Sequence, residues 1–119
     1  MSDVQLGAIE SRFADMIWER EPVASSELVR RCAEELGWKK TTTFTVLKRL
    51  CNKGLFCNDG GTVTSAISRE DYYAARSESF VEDNFGGSLP AFFAAFTARK
   101  KLSPDELERL KNMIDDCGK

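Results

Sequence analysis

Apolar residues recur at helical spacing over residues 6–20, and charged residues fill most of the opposite face. The apolar positions are Leu6, Ile9, Phe13, Met16 and Ile17. This separation of faces predicts an amphipathic first helix. The pair Glu21-Pro22 ends it, because proline cannot donate the next backbone hydrogen bond and pushes the residue before it out of helical geometry.

A second amphipathic helix is predicted to begin at Ser25 or Ser26 and to end near Leu36. Either serine can cap the helix by accepting a hydrogen bond from a backbone N–H of the first turn. Gly37 follows, at the position where a left-handed residue commonly ends a helix. The residues expected to face inward are Leu28, Val29, Cys32 and Leu36.

A third helix is predicted over residues 41–53, with Gly54 as its stop signal. Its apolar stripe consists of Val46, Leu47 and Leu50. Because an α-helix repeats about every 3.6 residues, this stripe turns a polar set toward the opposite face. That set comprises Thr41, Thr42, Thr45, Lys48, Arg49 and Asn52.

A β-hairpin is predicted after the third helix. Residues 55–57 and 62–67 alternate like strands, and the intervening Asn58-Asp59-Gly60-Gly61 tolerates the positive φ of a tight turn. The order of helix, helix, basic helix and hairpin is typical of a winged helix-turn-helix, although other small domains share it. We therefore predict a mainly α fold with a small β-hairpin, in which residues 1–67 form a winged-helix domain.

Three further helices are predicted over residues 68–119. The motif Ser68-x-x-Asp71 resembles a capping box at the start of the first, and Gly86-Gly87 ends it. Ser88 begins a short second helix, and a capping box over residues 103–106 begins the last.

The aromatic content of residues 68–119 exceeds what three short helices can bury among themselves. We therefore predict a helical dimerisation domain whose apolar surface is covered by a second copy of the chain. The predicted dimerisation residues are Tyr72, Phe80, Phe92, Phe93, Phe96 and Leu110. The alternative is that the aromatic surface packs back on the first domain.

Charge is distributed unevenly along the 119-residue chain, whose 17 basic and 19 acidic residues give a net charge of -2. Residues 38–55 contain five Lys or Arg and no Asp or Glu. Such a basic segment can neutralise phosphates, and the interleaved threonines can contact bases. The predicted DNA-binding residues are Lys39, Lys40, Thr41, Thr42, Thr45, Lys48, Arg49, Asn52 and Lys53. The alternative is an ordinary solvated helix face.

The absence of histidine removes Cys-His and Ser-His nucleophilic pairs and the commonest metal ligand, so we predict no enzyme, no cofactor and no metal site. The four cysteines lack CxxC spacing, and the sequence shows no signal peptide. Both observations predict reduced thiols in the cytoplasm. Cys51 and Cys57 are close enough in sequence to form a thiol pair, but small buried residues are the simpler interpretation. No apolar run approaches the length of a membrane span.

The pattern W-x-x-x-T-x-x-T-x-L-x-R-L-x-x-K-G over residues 38–54 resembles the recognition helix of the penicillinase repressor family, which includes BlaI, MecI and copper-responsive CopY relatives. The matching positions are Trp38, Thr42, Thr45, Leu47, Arg49, Leu50, Lys53 and Gly54. Weaker similarities extend over nearly the whole chain, including Leu6-x-x-x-Glu10 and Phe85-Gly86-Gly87.

This resemblance implies a homodimeric transcriptional repressor whose winged-helix domains bind the two halves of a palindromic double-stranded DNA operator. In the family, repression is relieved by cleavage of the dimerisation domain by a membrane metalloprotease sensor. The family-aligned bond here is Ala95-Phe96, which keeps only the Phe of the Asn-Phe bond found in well-known members. Copper relatives use a carboxy-terminal cysteine cluster, whereas only Cys117 lies in that region here.

Two alternatives to an operator-binding repressor remain open at this point. One is a winged-helix scaffold that binds protein and not DNA, since a fold does not determine a function. The other is a thiol-responsive or metal-responsive regulator acting through Cys51 and Cys57. The wing departs from the family's pattern, because Thr62 follows Gly61 where the family usually has an arginine.

Overall fold

The computed structural model describes residues 6–118, which form six α-helices and three short β-strands. The predicted mainly α fold is confirmed. In chain order the elements are α1 (Ala8–Arg20), β1 (Val23–Ala24), α2 (Ser25–Leu36), α3 (Lys40–Asn52), β2 (Phe56–Asp59), β3 (Thr62–Ser65), α4 (Arg69–Phe85), α5 (Leu89–Thr97) and α6 (Pro104–Cys117).

Most helix ends follow the predicted signals. Gly37 ends α2 with a left-handed φ of 69°. Ser103 caps α6, where its hydroxyl oxygen accepts the N–H of Glu106 and the Glu106 carboxylate accepts the N–H of Ser103, each at 3.1 Å. The predicted serine cap of α2 is wrong. Ser25 is the first helical residue, and its N–H donates to the Gly61 carbonyl at 2.8 Å. A backbone oxygen, and not a serine hydroxyl, therefore satisfies this N–H of the first turn.

The three strands form one antiparallel sheet in the order β1-β3-β2. Asp59 pairs with Thr62, so the hairpin loop consists of Gly60 and Gly61 alone, with φ values of 62° and 94°. Positive φ at both loop residues is the requirement of a type I′ turn, which glycine meets without strain. The sheet contains one strand that was not predicted, β1, whose Val23 pairs with Val63. The order helix, strand, helix, helix, hairpin is that of a winged helix-turn-helix.

The chain divides into two compact units, one ending at Ser77 and the other beginning at Glu78, inside α4. The sequence-based boundary after residue 67 is ten residues earlier. The first turns of α4 pack on α1 through Tyr72 and Tyr73, whose ring centroids lie 5.8 and 6.3 Å from that of Trp18. Tyr72 is therefore a buried core residue of the N-terminal unit, and it is not exposed to contact a second chain.

The core of the N-terminal unit lies between α1, α2, α3 and the sheet. Its fully buried apolar residues are Phe13, Ala14, Ile17, Leu28, Cys32, Leu50 and Val63. The ring of Phe13 lies 5.4 Å from that of Trp38, the residue just before the basic segment. Glu21 joins α1 to β3, because its carboxylate accepts the Ser65 N–H at 2.7 Å and the Ser65 hydroxyl at 2.8 Å.

The C-terminal unit consists of the second half of α4 with α5 and α6, and none of residues 78–118 has a buried side chain. Phe80, Phe85 and Phe92 form a cluster with ring centroids about 6 Å apart. An apolar groove of about 400 Å³ opens between α5 and α6. Its apolar lining residues are Phe92, Phe93, Phe96, Leu102, Leu110 and Met113.

Candidate nucleic-acid interface

The buried face of α3 determines which of its side chains point away from the protein. Thr43, Val46, Leu47 and Leu50 face the core. With about 100° between successive residues, four predicted DNA-binding positions fall within an arc of about 60° on the opposite side. These are Thr41, Thr45, Lys48 and Asn52, and all four are exposed. We call this set the outward face.

The other predicted DNA-binding residues lie beside the outward face. Thr42, Arg49 and Lys53 follow one flank of α3, and Lys40 lies on the other flank. Lys39 precedes the helix at its N-cap position. All five are exposed. The structure therefore places all nine predicted residues at the surface, while only four share the outward face.

The basic residues differ in their acidic partners. Arg49 forms an ion pair and a hydrogen bond with Glu10 of α1. Among the ion pairs of residues 6–118, none involves Lys39, Lys40, Lys48 or Lys53. These four ammonium groups are therefore available to phosphates, whereas Arg49 already has a partner.

Glu10 was not among the predicted site residues, although it belongs to the family-like motif Leu6-x-x-x-Glu10. Its partial burial raises the pKa of the carboxyl, but hydrogen bonds from Arg49 and Gly7 and the positive charges of Arg49 and Lys53 outweigh that effect, so the net pKa is lowered. The carboxylate is thus ionised at neutral pH. The sequence did not predict its ion pair with Arg49, because the two residues are 39 positions apart.

The wing formed by β2 and β3 contains no Lys or Arg, and Asp59 is exposed beside its loop. Two hydrogen bonds of Gly61 hold the loop in place. The Asn58 side-chain oxygen accepts the Gly61 N–H at 3.2 Å, and the Gly61 carbonyl accepts the N–H of Ser25. The wing can offer threonine hydroxyls to a phosphate, but it cannot neutralise one.

A small groove separates α3 from β2 and is lined by Phe44, Leu47, Lys48, Cys51 and Asn58, with a volume of about 360 Å³. Burial raises the pKa of the Cys51 thiol, and the nearby Cys57 raises it further. A raised pKa keeps the thiol protonated and lowers its reactivity as a nucleophile. Within residues 6–118 no three Cys, Asp or Glu side chains are grouped so that they could hold a metal ion.

Comparison with known proteins tests the resemblance seen in the sequence. The family model described as penicillinase repressor matches residues 6–116. The chain belongs to the penicillinase repressor family. The match includes both units, so the winged-helix elements and α4 to α6 are all part of the family's pattern.

The named relatives of this penicillinase repressor family member indicate a role in repression. The penicillinase repressor of Bacillus licheniformis is 26% identical over 116 residues, covering 94% of this chain and 91% of the relative. The methicillin resistance regulatory protein MecI of Staphylococcus aureus strain Mu50 is 22% identical over 115 residues, covering 93% and 94%. These relatives support a repressor role and not an enzymatic one. None of the helices in the described part of the chain combines the length and apolar character needed to cross a membrane.

Proposed function

We propose that the chain is a homodimeric transcriptional repressor that inserts α3 into the major groove at each half of a palindromic operator. The observation that carries this proposal is the outward face of α3. Its two threonines can contact a thymine methyl group or a base edge, Asn52 can pair with adenine, and Lys48 can hold a phosphate or a guanine. The core on the opposite side of the helix fixes the direction in which these side chains point.

The protein-binding scaffold is the weaker interpretation. Burial of Lys48, Arg49 and Lys53 in ion pairs would favour it, yet among the described residues only Arg49 of these three forms an ion pair, and its side chain is still 47% exposed. An outward face with the Lys48 ammonium group and short polar side chains, flanked by further exposed lysines, is better suited to a polyanion than to an apolar protein surface.

Two substitutions on the outward face test DNA binding by separating base recognition from phosphate contact. We expect Thr45→Ala to reduce the difference in binding free energy between operator and random DNA by about 1 to 3 kcal/mol, because the loss of a base contact weakens binding only to the correct sequence. We expect Lys48→Ala to weaken binding to both kinds of DNA and to reduce the dependence of affinity on salt. A protein that makes one phosphate contact fewer releases fewer counterions when it binds.

Fluorescence anisotropy with an operator duplex selected from a random pool and with a random duplex measures both effects. Glu34→Ala is the matched control, since Glu34 is exposed on α2 and is paired only with Arg30 among the described ion pairs. Operator binding that survives the combined Thr45→Ala and Lys48→Ala change would exclude this face as the DNA contact.

The C-terminal unit is proposed to hold the dimer. Phe93 and Phe96 are 43% and 48% exposed at the groove between α5 and α6, and on α6 Met113 is 58% and Ile114 68% exposed. Exposed apolar surface of this kind is typical of a protein interface. A second copy would cover it, and the two DNA-binding units would then reinforce each other on one operator. Of the predicted dimerisation residues, Phe80, Phe92, Phe93, Phe96 and Leu110 remain in this proposal.

Release of repression is proposed to follow cleavage between Ala95 and Phe96, by a membrane metalloprotease sensor as in the family. In a single chain both residues are exposed and α5 contains no buried residue, so this short helix can open in the monomer at low cost to the extended form that a protease needs. Immunoblots of host cells under inducing conditions should then show a shortened chain. Derepression with an intact chain would contradict cleavage and favour a switch near Cys51 and Cys57.

A further inference from the structure

Glu10 and Arg49 connect the start of α1 to the end of α3. The Glu10 carboxylate accepts a hydrogen bond from the Arg49 guanidinium through one oxygen and from the Gly7 N–H through the other, the latter at 3.4 Å. Glu10 is only 20% exposed in its side chain, while Arg49 is 47% exposed. One half-buried carboxylate thus contacts both the first turn of α1 and the flank of the DNA-facing helix.

A phosphate contact by Arg49, expected from the sequence, conflicts with this arrangement. If the guanidinium moved to a phosphate, the Glu10 carboxylate would lose the hydrogen bond and the positive charge of Arg49 and would lie close to the DNA backbone. If it stayed, a phosphate that reached Arg49 would approach the same carboxylate. Either route brings two negative charges together, and like charges at short range are repulsive.

We propose that Glu10 is a positioning residue for DNA binding, which holds Arg49 so that α3 is fixed relative to α1. Arg49 then acts within the protein, and phosphate neutralisation depends on the unpaired lysines. The outward face must enter a groove at a defined angle to reach base edges, whereas non-specific attraction tolerates misalignment. Loss of the Glu10–Arg49 contact should therefore lower operator affinity more than affinity for random DNA.

Because this role presupposes the DNA binding proposed above, the experiment must distinguish failure of one from failure of the other. The full-length Glu10→Gln, Arg49→Gln and double variants would be titrated against a selected operator duplex and a random duplex between about 50 and 200 mM KCl. Lys48→Gln serves as the control for a phosphate contact. Circular dichroism confirms that each variant is folded.

Each single variant is expected to bind the operator about tenfold more weakly, and the double variant no more weakly than either one, because both changes break the same contact. The slope of log affinity against log salt should stay at the unsubstituted value, whereas Lys48→Gln should lower it by about 0.9 for each DNA-binding unit. Glu10→Asp, which keeps the charge on a shorter side chain, should fall between Glu10→Gln and the unsubstituted chain.

A different pattern would overturn the proposal. If Arg49→Gln lowers the salt slope as Lys48→Gln does, while Glu10→Gln leaves operator affinity unchanged or raises it, Arg49 is a phosphate contact and Glu10 merely competes for it. If the unsubstituted chain binds neither duplex, the proposed function itself fails, and that outcome is separate from any difference among the variants.

Discussion

Phe93→Asp is expected to convert the proposed dimer to monomer and to lower operator affinity by about 10²- to 10⁴-fold, the advantage that two linked binding units have over one. Phe93 lines the groove of the C-terminal unit and is 43% exposed in a single chain. A carboxylate at this position would lose its hydration if a second chain covered this mainly apolar groove, which costs free energy. Analytical ultracentrifugation gives the oligomeric state, and anisotropy titration gives the affinity for a full operator and for a half-site.

Half-site binding should be nearly unchanged in this variant, because the proposed DNA-binding residues lie in the other unit. Ala94→Asp is the matched control: Ala94 is the next residue on α5, it is exposed, and it does not line the groove. That control should remain dimeric. A Phe93→Asp chain that sediments as a dimer at low concentration would place the interface elsewhere.

Phe13→Ala is expected to lower the free energy of unfolding of the N-terminal unit by about 3 to 5 kcal/mol. Phe13 is fully buried and contacts the Trp38 ring, so truncation both removes transfer free energy and leaves a cavity. Such a loss is a large share of the about 5 to 15 kcal/mol typical of a small domain. Both tryptophans, Trp18 and Trp38, lie in this unit, so their fluorescence during urea unfolding reports on it alone.

Ile9→Ala provides the comparison for Phe13→Ala on the same helix. Ile9 is 50% exposed, so its truncation removes little buried surface and should cost well under half as much. Equal losses in the two variants would mean that the packing around Phe13 does not stabilise the unit.

Local sequence signals predicted much of the fold, because helix periodicity, proline, glycine and the final capping box act over a few residues. They did not predict β1, which has only two residues and exists through pairing with β3. They also predicted a serine cap for α2, whereas the Ser25 N–H donates to the distant Gly61 carbonyl. Both errors concern partners distant in sequence, which periodicity cannot detect.

In the candidate site too, local features were predictable from the sequence and long-range contacts were not. The exposed outward face was predictable, because a core stripe on one side of a helix determines the opposite side. The pairing of Arg49 with Glu10 and the burial of Tyr72 were not, because each depends on which helix packs alongside. A charged or aromatic residue read from sequence alone therefore indicates available chemistry, while tertiary contacts decide whether it faces a ligand or another part of the chain.

No side chain among residues 78–118 is buried in a single chain. If this unit completes its core only in the dimer, mass action makes operator occupancy rise with about the square of the chain's concentration while monomers predominate. A modest fall in synthesis, or dilution by cell growth, would then lift repression steeply. The amount of repressor in the cell would itself be a regulatory input, in addition to any inducing signal.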